Sequence, residues 1–403
     1  LRYHLQHTRL PRPGGERGLK ELAGQILSQP LDRSRPLWEL WLIEGLGDAR
    51  FAMMAKSHHC MTDGIGGVDI LRVLLRPLPE VPNESPPRWL PQPRPTFAKL
   101  LVDESIQGAR ASLAMLLGIR DGIERPARAW AGLVDSATAV RDALRAGLRR
   151  VSRTPFNDPI GRNRRIDWQV LDLAEVKALG RQLHGTVNDV VLAVVTGALR
   201  RFLLGRRVPV EDLNFRVVIP VNMRSERDDA ANRVSAWFLT PPLAEPDPIG
   251  RFAHIRASTE RLRQSKTAEG IGVFIRLVDW AGSSLLTSAG TRLAARLHPY
   301  NLIVTNVPGP QSPLYLLGAR VLELHPQLPL FEKQGLGVAV LSYDGRVFCG
   351  FVGDWDLVPD LREFAGAIQA SFRELRDAAA ARATKRAAAT ARAAPRSRAG
   401  PAS

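Results

Sequence analysis

Residues 38 to 57 form the first strongly apolar stretch of the chain and are rich in Trp, Leu, Ile, Phe and Met. The segment Gly45-Leu46-Gly47-Asp48 divides this stretch, because glycine and aspartate are typical of turns. The pattern therefore predicts two strands, over residues 38–44 and 50–57. The second strand delivers the chain to His58.

A helix and a proline-rich segment follow this pair of strands. The sequence VDILRVLL, after Gly67, has the spacing of apolar positions that predicts a helix, which stops before Pro77. Residues 77–96 hold many prolines and are expected to form an exposed linker. Residues 97–153 show a helical, arginine-rich pattern. These helices either pack on the body with their arginines in water or form a basic amphipathic surface that rests on a membrane.

Strands and helices alternate through the second half of the chain. The predicted strands are RIDWQVLDL, NFRVVIPVNM, NRVSAWFLTPPL and YNLIVTNVPGP, and GLGVAVLSYDGRVFCGFVGD predicts a hairpin that turns at Asp344-Gly345. Helices are predicted for AEVKALGRQL, which ends at Gly185, and for VVLAVVTGALRRFLL, with Thr186 as N-cap. Two more are predicted over Arg251 to Ser265 and after Pro359-Asp360. Because both halves mix strands with helices, the sequence predicts two α/β domains.

The length of 403 residues also favours two domains, because a single hydrophobic core stops growing at about 250–300 residues. We expect an N-terminal domain over residues 1–76, followed by the proline-rich linker and basic helical segment over residues 77–153. A second domain is expected over residues 154–376. The Ala/Arg-rich tail over residues 377–403 is expected to be disordered.

The chain is strongly basic, with a formal net charge of +16. From Asp377 on, six Lys and Arg residues stand against one Asp, so the body alone keeps a charge of about +11. A basic body suits a negatively charged partner, such as a phosphate-bearing molecule or a membrane surface. The tail is either solvated or a tether to anionic lipid or nucleic acid. With only 6% aromatic residues and no recognisable motif, nucleic acid is not the favoured partner.

The stretch SHHCMTDGIGG, residues 57–67, carries the strongest candidate chemistry. Successive side chains of a strand point to opposite faces, so His58 and His59 cannot both line one cleft while the strand stays regular. This argues against a metal site made from the pair, and no matching His or Cys cluster follows nearby. A general base fits better, because neutral histidine accepts a proton near neutral pH. Two core histidines with a capping aspartate remain an alternative.

The residues after the two histidines refine this interpretation. Asp63 can pair with an arginine or orient an imidazole, while Gly64 and Gly67 permit close approach of backbone or ligand. No Gly-x-Ser-x-Gly nucleophile signature is present, which favours direct transfer without an acyl-enzyme. Cys60 is a weaker candidate nucleophile, because on a strand it shares the face of His58 and points away from His59.

The stretch HHCMTDG resembles the HHxxxDG motif of acyltransferases with the chloramphenicol acetyltransferase fold. Several further stretches strengthen the resemblance: LDRSRPLWELWLIEGL, TVNDVVLAVVTGALR, VIPVNMR, ANRVSAWFLTPPLAEPDP, NLIVTNVPGP and VLSYDGRVFCGFVGDWDLVPDL. In this order they resemble the bacterial wax ester synthase/diacylglycerol acyltransferase family. The resemblance runs from about Leu1 to about Arg373.

The resemblance implies an α/β (α+β) fold of two chloramphenicol acetyltransferase-like domains, each a mixed sheet with helices, with a tunnel between them. The implied enzyme moves a long-chain fatty acyl group from acyl-CoA to diacylglycerol, giving triacylglycerol, or to a long-chain alcohol, giving a wax ester. Acyl-CoA is then a substrate, and no cofactor or metal is expected. The protein is expected in the cytoplasm, at the periphery of membranes or lipid inclusions, without a nucleic-acid partner.

The resemblance also assigns roles to residues. His59 is implied as the general base, His58 as its assistant, and Asp63 as a structural residue of the motif. The residues implied to bind substrate or shape the site are Gly64, Gly67, Pro36, Leu37, Trp38, Asn188 and Asp189. Simpler roles stay open: Trp38 as a core aromatic, and Asn188 and Asp189 as residues of a helix start.

Two other questions remain open at this point. Asn306, before Pro308-Gly309-Pro310, either donates a hydrogen bond to the developing oxyanion or stabilises a turn. Members of the family begin with a segment upstream of Leu1, so a strand and a helix of the first domain are expected to be missing. A non-catalytic lipid-binding relative or a truncated fragment is therefore an alternative, as is condensation on a carrier-protein thioester.

Overall fold

The computed structural model describes residues 2–58, 74–80, 151–222, 234–264 and 300–393, with residues 95, 96, 99, 102 and 106 between them. The helix predicted from VDILRVLL and the helical pattern of residues 97–153 fall almost entirely outside these ranges. The mixed α/β fold expected from the sequence is confirmed. The predicted domain bounds stay a prediction.

The first described part is a three-stranded sheet with one helix. The sheet has the order β1 (Leu5–Arg9), β2 (Trp38–Glu44) and β3 (Ala52–Ser57), and β1 runs parallel to β2 while β3 runs antiparallel to it. Helix α1 (Gly15–Ser28) follows β1 and buries Ala23 and Ile26. Strand β2 has the predicted bounds, and β3 begins two residues later than predicted.

The second part is a six-stranded sheet of the order β4-β11-β10-β7-β5-β6. The strands are β4 (Arg164–Asp172), β5 (Val217–Asn222), β6 (Val234–Leu239), β7 (Leu302–Pro308), β10 (Leu336–Tyr343) and β11 (Arg346–Asp354). Strands β5, β7 and β10 are parallel, and the other neighbours are antiparallel. A small hairpin of β8 (Tyr315–Leu316) and β9 (Ala319–Arg320) lies between β7 and β10 in the sequence.

Four helices of the described ranges accompany this sheet: α2 (Leu173–Gln182), α3 (Val187–Gly205), α4 (Pro248–Gln264) and α5 (Leu361–Ala393). Their apolar side chains join those of the strands in the largest hydrophobic core of the described residues. Helix α3 is buried nearly all round, which explains its continuous apolar sequence. The core includes Phe351 of β11, Leu199 of α3 and Phe364 of α5, all fully buried.

The helix of the small sheet packs against the edge strand of the large one. Ala23 of α1 joins Ile166, Trp168 and Val352 in one buried cluster. A Cβ atom on Gly24 would lie 2.8 Å from the carbonyl oxygen of Arg164, so only glycine allows this approach. The Arg164 amide donates to Ser28 Oγ at 2.8 Å, and Lys20 Nζ lies 2.7 Å from Asp167 Oδ1. The two sheets are therefore joined through α1 and β4.

Two buried asparagines hold the starts of β7 and β10. Asn157 Nδ2 donates to the carbonyl oxygens of Asn301 and Lys333, each at 3.0 Å. Asn301 Nδ2 donates in turn to Asn157 Oδ1 at 2.9 Å, and Asn301 Oδ1 accepts from the Arg216 amide at 2.9 Å. Because buried amides cost free energy unless they are paired, this mutual bonding fixes the position at which β7 begins.

Local signals placed most elements of the second half correctly. Thr186 caps α3 as predicted, and the hairpin turns at Asp344 and Gly345, whose φ angles are 43° and 76°. Helix α2 ends at Gln182, three residues before Gly185. The disorder expected from Asp377 on was wrong for residues 377–393, which continue α5. Alanine has the highest helix propensity, and Gln182 Nε2 bonds the Ala379 carbonyl at 2.9 Å, so the helix continues beyond the core.

Candidate active site

One histidine of the HHxxxDG motif lies within the described residues. His58 follows β3 directly, as predicted, whereas His59, Cys60, Asp63, Gly64 and Gly67 lie outside the described residues. The described surroundings of the motif are therefore β2, β3, α1 and the Pro36-Leu37-Trp38 segment. The roles assigned to the residues of the motif stay predictions.

The Pro-Leu-Trp segment is bonded to the first histidine through the backbone. The amide of His58 donates to the carbonyl oxygen of Leu37 at 2.9 Å, and Trp38 is paired with Ser57 across the sheet. The amide of Trp38 donates to the Pro36 carbonyl at 2.9 Å, which makes a tight turn before β2. The structure thus brings together two segments that the sequence separates by about twenty residues.

Trp38 is half-buried and covered by another ring. Its indole stacks on the imidazole of His4, with 4.3 Å between the ring centroids and 18° between the ring planes. His4 Nδ1 lies 2.7 Å from the Trp38 carbonyl oxygen, and because a carbonyl only accepts, Nδ1 carries the hydrogen. These contacts give Trp38 a part in fixing the start of β2, next to His58.

Lys56 anchors the strand that leads to the motif, and the sequence did not single it out. Its Nζ donates to the Ile26 carbonyl oxygen at 2.8 Å and to the Gln29 carbonyl, at the C-terminal end of α1. A cation is favourable there, because the helix end carries partial negative charge. The pKa of Lys56 is lowered, because burial disfavours its charged form more than the negative charge of Glu39, its cross-strand partner, favours it. Only the tertiary contact with α1 reveals this role.

Asp189 is fully occupied by hydrogen bonds at the start of α3. Its Oδ2 accepts from the amide and the hydroxyl of Thr186, each at 2.8 Å, and the amide of Asp189 donates back to Thr186 Oγ1 at 3.2 Å. Its Oδ1 accepts from the Thr259 hydroxyl at 2.6 Å and lies 3.5 Å from Arg263 Nη2. With 1% of its surface exposed, Asp189 connects α3 to α4 and holds the helix start.

Asn188, the neighbour of Asp189, is bonded to Asn306 on β7. Asn306 Nδ2 donates to Asn188 Oδ1 at 3.1 Å, and both side chains are half-buried. Asn306 lies within the strand, paired with Val340 of β10, so the turn-stabilising role considered for it was wrong. Because the bond uses Oδ1 of Asn188, the two Nδ2 hydrogens of Asn188 remain available as donors.

The amide pair lies near the carboxyl ends of parallel strands β5, β7 and β10, where α3 begins. Open α/β sheets bind ligands at this edge, because backbone groups and helix starts converge there. An asparagine with free donors at such an edge can bind an oxygen of a substrate. Asn188 was a predicted site residue, but its contact with Asn306, 118 positions away, depends on the fold and has no local signal in the sequence.

Neither a metal cluster nor a reactive cysteine is evident in the part of the chain that the structure describes. In those residues, no group of three or more His, Cys, Asp or Glu side chains is placed to hold a metal ion. Cys349 is buried in β11, and burial raises the pKa of its thiol to about 12. A thiol that stays protonated is a poor nucleophile. Likewise, no described helix is both long and apolar enough to cross a membrane.

This chain is similar to known proteins along almost its whole length. Residues 1–191 match the model of the wax ester synthase/diacylglycerol acyltransferase catalytic domain, and residues 230–376 match the model of the C-terminal domain of the same family. A solved wax ester synthase/diacylglycerol acyltransferase from Marinobacter aquaeolei VT8 shares the fold, with a TM-score of 0.65 at 24% identity. The match covers 94% of this chain and 80% of the Marinobacter chain.

Two relatives from Mycobacterium tuberculosis carry provisional diacylglycerol O-acyltransferase names. One is 34% identical over 393 residues, which covers 93% of this chain and 74% of the relative. The other is 31% identical over 376 residues, which covers 91% of this chain and 77% of the relative. With both family domains matched and these relatives at 31–34% identity, the chain belongs to the wax ester synthase/diacylglycerol acyltransferase family.

Proposed function

We propose that the chain is an O-acyltransferase that moves a long-chain fatty acyl group from acyl-CoA to diacylglycerol, to a long-chain alcohol, or to both. Family membership supports acyl transfer, and the names of the mycobacterial relatives support diacylglycerol as an acceptor. The observation that carries the proposal is the position of HHCMTDG. Its first residue, His58, follows β3 directly and donates its backbone amide to Leu37, within the part that matches the family's catalytic domain.

In the proposed reaction, His59 takes the proton of the acceptor hydroxyl as its oxygen attacks the thioester carbonyl. The new C–O bond forms, the C–S bond breaks, and the proton passes from the imidazolium to the sulfur of the leaving CoA. No acyl-enzyme is formed, so no side-chain nucleophile is needed. His58, held by Leu37, and the motif aspartate Asp63 position the base.

Asn188 supplies a hydrogen-bond donor in this proposal. Its Nδ2 group binds a substrate oxygen, and Asn306 holds the amide in the orientation that leaves this donor free. Asp189 acts through Asn188, because its carboxylate is buried and its hydrogen bonds fix the start of α3. The basic body of the chain, at +16 overall, attracts the negatively charged CoA.

The acceptor dissolves in lipid, so the protein is proposed to work at a membrane or lipid-inclusion surface. The amphipathic or basic segments expected from the sequence provide contact without a span. Water must be kept from the thioester, because it competes with the alcohol for the acyl group. The tunnel expected between two domains serves this purpose.

The test measures CoA release by the purified chain with palmitoyl-CoA and either dioleoylglycerol or hexadecanol. We expect release that requires an acceptor and that falls at least about a hundredfold in His59→Ala, since a general base contributes roughly 10²–10⁴-fold. Thermal unfolding of the variant controls for folding. Acceptor-dependent release at the wild-type rate in folded His59→Ala would refute the assigned base. Lipid binding without CoA release from any acceptor would indicate a non-catalytic relative.

A further inference from the structure

The hairpin of β8 and β9 turns through a residue that its geometry disfavours. Leu316 pairs with Ala319, so the turn consists of Leu317 and Gly318, whose φ angles are +49° and +88°. Two positive φ angles are those of a type I′ turn, which strongly prefers Asn, Asp or Gly at both positions. The turn of β10 and β11 obeys this preference with Asp344 and Gly345. A leucine in the left-handed region therefore calls for a reason other than turn formation.

The side chain of Leu317 projects into solvent. It is 81% exposed, the most exposed large hydrophobic side chain of the described residues. Leu78, at 62%, lies close by, because the segment of residues 74–80 runs beside the hairpin. Backbone bonds of 2.8 and 2.9 Å pair Arg76 with Tyr315. We name Leu74, Leu78 and Leu317, which line one shallow hollow on this surface, the leucine tip.

The leucine tip is not a substrate pocket, and it is small for a protein interface. Its hollow has a volume of about 30 Å³, whereas small-molecule pockets usually hold at least ~300 Å³. Three partly exposed leucines offer far less than the ~800 Å² per partner of a specific protein interface. A narrow apolar projection needs no complementary cavity in a lipid layer, however, because acyl chains rearrange around it.

Charges near the leucine tip also suit a lipid surface. Arg76 and Glu80 line the same hollow, and Arg320 of β9 is paired with Asp344 at 2.9 Å. The local charges thus nearly balance, while the whole chain carries +16. The net charge attracts an anionic membrane over a distance, and the leucines supply contact that salt does not screen. Tyr315 at the base of the hairpin is of the type enriched at membrane–water interfaces.

We propose that the leucine tip inserts into a phospholipid surface that contains anionic lipid. The inference rests on the proposed function, in which the acceptor alcohol dissolves in the lipid layer. Insertion at this point gives the enzyme one defined contact with the phase that holds its acceptor. It also accounts for a leucine at a position where the backbone favours Asn or Gly.

Co-sedimentation of the full chain with vesicles of phosphatidylcholine and phosphatidylglycerol tests the proposal. Leu317→Asn removes the apolar side chain and supplies a residue that the turn prefers, so the hairpin is kept. At high salt, where charge attraction is screened, we expect its partition coefficient to fall about tenfold. Leu204→Asn is the matched control, because Leu204 is also exposed but lies at the end of α3. It should bind vesicles as the wild type does.

Several outcomes would overturn the proposal. The proposal fails if the wild-type protein does not co-sediment with vesicles. It also fails if Leu317→Asn binds vesicles at the wild-type level. A variant that turns a dimer into a monomer in sedimentation velocity, with vesicle binding unchanged, would show that the tip pairs two copies of the chain. If thermal unfolding shows Leu317→Asn to be unfolded, Leu78→Asn, which lies outside the turn, replaces it.

CoA release measured on the same preparations separates this inference from the proposed function. Vesicle binding that depends on Leu317, in a wild-type chain that releases no CoA, would support the leucine tip and refute the acyltransferase. Acceptor-dependent CoA release, with vesicle binding that is insensitive to Leu317→Asn, would refute the leucine tip alone.

Discussion

Replacing Asn306 with aspartate should weaken acyl transfer while leaving the protein folded. In the structure, Asn306 Nδ2 donates to Asn188 Oδ1 at 3.1 Å. A carboxylate has no hydrogen to donate, so in Asn306→Asp the only bond available between the two side chains runs in the opposite direction. The Asn188 amide must turn over, and its Nδ2 group is then directed at the new carboxylate instead of at the substrate.

The change from asparagine to aspartate should have a small effect on stability and a larger effect on kcat. One neutral hydrogen bond is replaced by one to a charged acceptor, so the free energy of unfolding should change by no more than about 1 kcal/mol. The loss of a donor to a developing oxyanion typically lowers kcat by about 10²–10³-fold. Because Asn188 is only half-buried, water partly replaces the donor, and we expect a loss of about tenfold to a hundredfold.

Steady-state CoA release and urea unfolding, measured on the same preparations, provide the readouts. Asn188→Asp is the complementary variant: it still accepts from Asn306 Nδ2 but has no donor, so it should lose activity to a similar degree. The start of α3 tolerates the added negative charge, because the helix dipole favours it. Asn163→Asp, an exposed change before β4, is the matched control and should behave as the wild type.

Two outcomes would rule out a catalytic role for the amide pair. If Asn306→Asp and Asn188→Asp both keep the wild-type kcat and KM, the amide pair does not present a donor to the substrate. If both lose activity only in proportion to a loss of folded protein, the pair has a structural role alone. A fall in kcat with unchanged unfolding is the outcome that the geometry predicts.

Two further predictions concern stability. Gly24→Ala should lower the free energy of unfolding by about 1–3 kcal/mol, because its Cβ would lie 2.8 Å from the Arg164 carbonyl oxygen. Gly18→Ala, on the same helix, is the control: its Cβ meets nothing closer than 3.8 Å, so it should stabilise the protein by roughly 0.5–1 kcal/mol. Equal effects of the two changes in urea unfolding would contradict the α1–β4 contact. Burial raises the pKa of Cys349 from 9.0 to about 12. The stability that the neutral, buried thiol contributes is therefore fully present below pH 9 and is lost as the pH rises towards 12, because the unfolded chain releases its proton first. The difference in unfolding free energy between wild type and Cys349→Ala should therefore shrink by about 1.4 kcal/mol per pH unit in that range, and a constant difference would show that the thiol titrates normally.

Local chemistry explains which parts of the fold could be predicted. The Asp344-Gly345 turn, the Thr186 cap and the strands before His58 each depend on residues close together in the sequence. The helix beyond Asp377 was missed because a high charge was taken as a sign of disorder, although alanine dominates the segment. Strand order could not be predicted, since it depends on pairings between distant segments.

The motifs of the candidate site could be predicted from the sequence, but the contacts between distant residues could not. The HHxxxDG stretch and the Asn188-Asp189 pair could be recognised from the sequence, whereas the opposite orientations expected for the two histidines stay a prediction. The contact of Lys56 with α1 and that of Asn306 with Asn188 join residues 27 or more positions apart. Such contacts have no local signal, because a lysine in a strand or an asparagine before a proline has many ordinary roles.

The strand order of the large sheet has a consequence for synthesis of the protein. Strand β4 is made early, yet its pairing partner in the sheet is β11, and Asp172 pairs with Arg346, 174 positions later. Until β11 has left the ribosome, β4 lacks the one strand that pairs with it in the described ranges, and Ile166 and Trp168 lack the cover of Val352. Pairings between such distant segments form slowly and leave apolar edges open to aggregation. The second half of the chain therefore completes its sheet only after most of the chain has been translated, and its yield in cells should depend on chaperones that shield β4 in the meantime.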